Sequence, residues 1–90
     1  MKKAIFDIET NGLLKEVTTI HCIAIKDAVQ SDRRVQSLKS YRPDQVMQAL
    51  EILENADEII GHNIIGYDIP VIQKLYPNWK PKGKVTDTLV

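Results

Sequence analysis

The 90-residue chain holds a single cysteine, Cys22. No disulfide can form within it, which excludes a cross-linked secreted framework and fits a reducing, cytoplasmic setting. Aromatics are scarce: one Phe, one Trp and three Tyr. Glycine and proline number four each, too few for a collagen-like or low-complexity chain. Excess charge is also absent. Twelve Lys and Arg offset twelve Asp and Glu, which excludes a protein that coats nucleic acid by net charge alone. Apolar runs are only a few residues long, so no membrane-spanning segment is expected. Met1-Lys2-Lys3 is basic, but Asp7 and Glu9 interrupt the apolar stretch after it, so no signal-peptide core is expected either. What remains is a globular composition, 43% hydrophobic and 27% charged, of a size for one small domain.

The charge that is present is unevenly placed. Residues 1–68 carry eight Lys and Arg against eleven Asp and Glu, a balance of −3. Residues 69–90 carry four Lys against one Asp, a balance of +3. Lys74, Lys80, Lys82 and Lys84 surround Pro77, Trp79 and Pro81. This tail reads either as a solvated loop with Trp79 as a lid over the second helix, or as a strip on a phosphate backbone with Trp79 stacking on bases.

Residue periodicity predicts the elements. Ala4-Ile5-Phe6-Asp7-Ile8-Glu9 reads as a buried strand carrying two acids, ended by the turn signal Asn11-Gly12. Thr19 to Ile25 is a second strand, and Arg34 to Tyr41 a third, polar enough for a sheet edge. Pro43 opens a helix with Val46, Ala49, Leu50 and Leu53 at helical spacing, Asp44 in its first turn and Asn55 as its stop. Glu58-Ile59-Ile60-Gly61 is a fourth strand. A second helix starts near Asp68, with Val71, Ile72 and Leu75 on its apolar face, and stops at Pro77. Lys84-Val85-Thr86-Asp87 begins a fifth strand. Strand–helix–strand alternation implies an α/β layer.

Side chains alternate along a strand, so Asp7 and Glu9 share one face. Two carboxylates that close repel, which raises the pKa of one unless a cation lies between them. Magnesium or manganese, with their preference for oxygen ligands, would compensate. The alternative is that both acids sit at an exposed strand end and do nothing. In an open α/β sheet, the loops after the strands gather into one crevice. Asp68, after the fourth strand, would face Asp7 and Glu9 if strands one and four are neighbours. Taken alone, Asp68 reads as a helix N-cap and Asn63 as a turn residue. His21, Cys22 and His62 lack zinc-site spacing. Cys22 reads as core, His21 as solvent-facing and His62 as a loop hydrogen-bonding residue.

Asp7-Ile8-Glu9-Thr10, with His62-Asn63 and Tyr67-Asp68 later in the chain, resembles the first two motifs of the DEDD family of 3′–5′ exonucleases. In particular it resembles the proofreading domain of T7-like family A DNA polymerases. Asp87-Thr88-Leu89-Val90 resembles a segment further along the same domain, and the likeness runs in order from Ala4 to Val90. It implies an α/β, ribonuclease H-like exonuclease fold, truncated: three antiparallel strands, a helix, a parallel strand, a helix and the start of a fifth strand. The element order read from the residues is the same. Residues 1–90 would form a partial exonuclease domain, acting on the 3′ end of single-stranded DNA in a bacterial or phage-infected cytoplasm. The resemblance also implies Mg²⁺ or Mn²⁺ in a two-metal site. Asp7 would bridge both ions, Glu9 would hold the ion that activates water, and Asp68 would hold the second. Thr10 and Asn63 would position the terminal nucleotide, and Tyr67 would lie beside it or pack into the core.

The family pattern includes a fourth acid in a third motif beyond the fifth strand, preceded by a Tyr. These 90 residues hold neither, nor a polymerase domain. Asp87 reads as a structural, N-capping position and not as a substitute. The expectation is an impaired site and an uncovered sheet face, completed by the remainder of a polymerase or by a self-associated copy. Two other functions remain open: a non-catalytic exonuclease-like interaction module, and an oligoribonuclease-like enzyme acting on small RNA.

Overall fold

Alternation along the first strand sets the layering. In β1 (Lys3–Thr10), Ala4, Phe6 and Ile8 are buried while Ile5, Asp7 and Glu9 are exposed. The computed structural model, which describes residues 2–27 and 38–89, builds a five-stranded sheet around this strand in the order β3-β2-β1-β4-β5. β2 (Ile20–Asp27) lies antiparallel to β1, and β3 (Leu38–Tyr41) antiparallel to β2. β4 (Glu58–Gly61) is parallel to β1, and β5 (Lys84–Asp87) is parallel to β4. The mixed α/β order is the one the sequence predicts, with the third strand at one edge. The Arg34–Ser37 part of that strand lies outside the described residues.

Register stacks one apolar face across the sheet. Phe6 pairs with Ile25, Ile8 with Ile23, Ala4 with Ile59, Ile59 with Val85 and Ile23 with Tyr41. α1 (Val46–Asn55) buries Val46, Ala49, Leu50 and Leu53, the residues its periodicity singled out. A 3-10 turn, Pro43–Gln45, leads into it, where the missing proline N–H costs nothing and the Gln45 side chain accepts the Arg42 N–H. α2 (Ile69–Leu75) buries Val71 and Ile72, and all these side chains join one core.

Two expectations change in three dimensions. Trp79 is only 6% exposed, and its indole N–H donates to the Leu50 carbonyl at 2.9 Å. It is therefore wedged against α1, where the buried N–H finds an acceptor. A ring so buried is no open stacking platform. Cys22 is half-buried on the Asp7–Glu9 face, because it pairs with Glu9. A bulge sets that register: Glu9 pairs with Cys22 but Thr10 with Ile20, which leaves His21 as the extra, exposed residue.

The lysines of the basic tail are dispersed and form no single strip. The Lys74 ammonium donates to the Leu14 and Lys15 carbonyls, and that of Lys82 to the Asn55 side chain. Lys84 starts β5 opposite Glu58, where β1 and β4 also begin. Lys82 and Lys84 thus lie at the opposite end of the parallel strands from Glu9. Among the described residues no helix is long and apolar enough to cross a membrane.

Candidate functional site

β1, β4 and β5 run parallel and finish at one end of the sheet, so the segments after them meet there. β4 pairs with β1 only as far as Ile5 opposite Ile60. Beyond that point the Ile8 N–H is met by a side chain: Asp68 Oδ2 accepts it at 3.3 Å. Ile8 stands between Asp7 and Glu9, so Asp68 reaches the backbone of the residue that separates the two strand acids. Asp68 is 4% exposed.

Asp68 is not a side-chain N-cap. Its backbone is already helical (φ −59°, ψ −49°) and its side chain makes no capping bond. The reason is a π-helical turn, Ile64–Asp68, that winds before α2, with the Ile69 N–H bonding to the Ile64 carbonyl. The periodicity gave no sign of this turn, although Gly66 is a trace of it. A Cβ at Gly66 would lie 2.5 Å from Asn63 Oδ1, so only glycine lets the Asn63 side chain pack there. Asn63 adopts the left-handed conformation (φ 58°) that suits a turn-forming Asn.

Burial pushes the Asp68 carboxyl up to about 6, and the Asp7 carboxylate adds to the push. The hydrogen bond from Ile8 works against both. Asp87, at the end of β5, goes the other way. Backbone N–H groups, of Leu89 and Ile65 foremost and Asn63 next, hold its carboxyl below the usual range. It caps the chain just after itself, as a capping Asp should, but also a distant segment that the sequence did not indicate.

The Tyr67 hydroxyl donates to the Gly12 carbonyl at 2.6 Å and meets the Thr10 hydroxyl at 2.6 Å. It thereby ties the loop after β1 to the turn that carries Asp68. That loop is closed on itself by Asn11, whose side-chain oxygen accepts the Thr18 and Thr19 N–H groups. Among the six residues singled out from sequence, Asp7 is brought to Asp68, and Thr10 to Tyr67. Asn63 and Glu9 are exposed. Among the described residues, no group of three or more His, Cys, Asp or Glu gathers closely enough to hold a metal ion. Asp7 and Glu9 both project outward on one face of β1, while Asp68 turns in to the Ile8 N–H between them.

Residues 4–88 match the RNase_H superfamily. The chain belongs to the RNase H superfamily. Over 73 residues this RNase H-like chain is 38% identical to a DNA-directed DNA polymerase of Enterobacteria phage T3 and 37% identical to one of Escherichia phage T7. Each alignment takes 77% of the chain and 10% of the relative, so the chain spans about a tenth of these relatives' length. These likenesses agree with the T7-like polymerase resemblance of the motifs. In structure the chain is similar to a family B DNA polymerase from the hyperthermophilic archaeon Pyrobaculum calidifontis, with a TM-score of 0.59. That match covers 94% of this chain and 15% of the polymerase at 14% identity, and it shows the fold alone.

The donor chemistry suits a hard divalent cation. Asp7 and Asp68 offer only oxygen, and their like charges disfavour each other without a counter-ion. Mg²⁺ is commonly held by one or two carboxylates, its other positions filled by water and phosphate oxygens, and not by a closed protein cage. The Asp7–Asp68 pair fits that pattern.

Proposed function

We propose that this RNase H-like chain is part of the 3′–5′ proofreading exonuclease domain of a phage-type DNA polymerase. Residues 1–90 contribute its first two motifs, and its substrate is the 3′-terminal phosphodiester of single-stranded DNA. One observation carries this reading: the buried Asp68 carboxylate is anchored on the Ile8 N–H, between Asp7 and Glu9. That contact joins two distant acidic motifs at the end of the sheet where α/β folds bind ligands.

Asp7 and Asp68 would hold Mg²⁺ or Mn²⁺, with Glu9, on the Asp7 face of β1, contributing to a second ion. Such ions, when bound, lower the pKa of a coordinated water and offset charge on the phosphate. The chain's own residues do the rest. Thr10, tied to Tyr67, and Asn63, held at the start of the turn, border the crevice that receives the terminal nucleotide. The exonuclease pattern places a fourth acid outside residues 1–90, so these residues alone turn over slowly or not at all. The β1 face bearing Ile5, which is 37% exposed, would be covered by the remainder of a polymerase or by a second copy.

The test is Mn²⁺ titration of the chain monitored by electron paramagnetic resonance, with and without a single-stranded DNA oligonucleotide. Binding should weaken at least about tenfold in Asp7→Asn, the loss expected when a ligand is removed from a two-carboxylate site. Mn²⁺ should also support shortening of the oligonucleotide from its 3′ end once a completing chain is supplied. Absence of Mn²⁺ binding, or binding indifferent to Asp7→Asn, overturns the proposal. That outcome would favour a second reading, a non-catalytic interaction module.

A further inference from the structure

Asp87 uses its carboxylate three times. Oδ1 accepts the Asn63 N–H at 2.8 Å and the Leu89 N–H at 2.9 Å, and Oδ2 accepts the Ile65 N–H at 2.9 Å. Asn63 and Ile65 flank the start of the π-helical turn whose last residue is Asp68. Near the other end of the same turn, the Tyr67 hydroxyl is fixed on the Gly12 carbonyl. The turn is thus clamped on both sides of the crevice, to β5 by Asp87 and to the β1 loop by Tyr67. The β5 clamp matters more for direction. Asn63 holds a left-handed backbone that an L-residue adopts at a cost, and two of the first free N–H groups of the turn have Asp87 as their acceptor.

We infer that Asp87 is a positioning residue: by holding the Asn63 and Ile65 N–H groups, it aims the Ile64–Asp68 turn so that the Asp68 carboxylate stays against β1. Asp87 is no ligand in this scheme and replaces no missing acid. Its action is through the backbone, and it makes the short edge strand β5 a part of the site. The effect on cation binding rests on the proposed role of Asp7 and Asp68; the effect on the Asp68–Ile8 contact does not.

Two measurements on the 90-residue chain separate those levels. Amide hydrogen exchange, without metal, reads the Ile8 N–H that Asp68 covers. Mn²⁺ titration reads the pair. In Asp87→Ala, Ile8 exchange should accelerate by about tenfold or more as Asp68 drifts, and Mn²⁺ affinity should fall about tenfold. Asp87→Asn, which keeps one acceptor oxygen and loses the other, should fall between Asp87→Ala and the unsubstituted chain in both. Ile25→Val, a mild core change away from the turn, should speed Ile8 exchange only as far as it lowers global stability, and should leave Mn²⁺ affinity unchanged. If Asp87→Ala or Asp87→Asn leaves the Ile8 exchange rate as it was, or moves it no more than Ile25→Val at matched stability, the inference is overturned. An unsubstituted chain that binds no Mn²⁺ overturns the cation reading instead, and the Ile8 exchange rate still decides the role of Asp87.

Discussion

Asp68 shows how much one residue's surroundings decide. A carboxyl with a folded pKa of about 6, above its ordinary 3.8, binds its proton more tightly in the folded than in the unfolded state. Its contribution to stability is fully present below the unfolded value, is lost as pH rises through about 4 to 6, and is flat beyond. The loss is on the order of 3 kcal/mol at about 1.4 kcal/mol per pH unit. Asp87 and Glu58 have the opposite sign. Glu58 is held below the usual range chiefly by the Thr86 hydroxyl, with Lys3 3.6 Å away. Their contributions are present above the ordinary carboxylate value and fade as pH falls below it. Urea melts in chelator should therefore show greatest stability near pH 4 to 5 and a decline toward pH 7. Asp68→Asn keeps an acceptor for the Ile8 N–H without the charge. It should remove most of that decline and stabilise the metal-free chain at pH 7.5 by about 1–3 kcal/mol. An unchanged slope in Asp68→Asn would show that other groups set the profile.

At the scale of elements, two contacts hold the later strands and the tail in place. Gly83 brings the chain into β5 with no room for a side chain: a Cβ there would lie 2.2 Å from the Asp57 carbonyl oxygen and 2.4 Å from that of Ala56. Backbone atoms cannot step aside as a flexible side chain can. Gly83→Ala should cost about 1–3 kcal/mol or more in a denaturant melt; a cost near zero would mean that β5 is not seated as described. Trp79 pins the segment after α2 onto α1 through its indole N–H and its buried ring. Trp79→Ala should cost about 3–5 kcal/mol. The native tryptophan emission should be blue-shifted and move red on unfolding, whereas an exposed stacking residue would emit red throughout.

At the scale of the whole molecule, the four acids of the crevice and two of the tail lysines lie at opposite ends of the sheet. Asp7, Glu9, Asp68 and Asp87 lie toward the finishing ends of the parallel strands, and Lys82 and Lys84 toward the starting ends. Phosphate binding at the acid end would thus come through a cation and not through these lysines. Lys82→Ala combined with Lys84→Ala should change Mn²⁺-supported binding of single-stranded DNA by less than about twofold and leave its salt slope nearly unaltered. A slope reduced by about two would place both lysines on the backbone path.

Apart from the Ile64–Asp68 turn, the described strands and helices were legible from local physics. Period-two burial in β1, period-3.6 spacing in α1, the stop at Asn55 and the turn-forming Asn63 are properties of neighbouring residues, and the chain states them directly. The shared face of Asp7 and Glu9 is a consequence of strand geometry alone. Other features belong to no neighbourhood in the sequence. The Asp68 side chain finds its partner 60 residues away, on a strand N–H beyond the end of the β1–β4 pairing. Trp79 takes a helix carbonyl, Asp87 takes the N–H groups of a turn begun two dozen residues earlier, and a bulge places Cys22 beside Glu9. Each depends on which backbone groups remain unpaired after the sheet has formed. Periodicity determined the strands and helices; the tertiary structure decided which polar groups had to satisfy one another, because that need arises only when the surrounding backbone is buried.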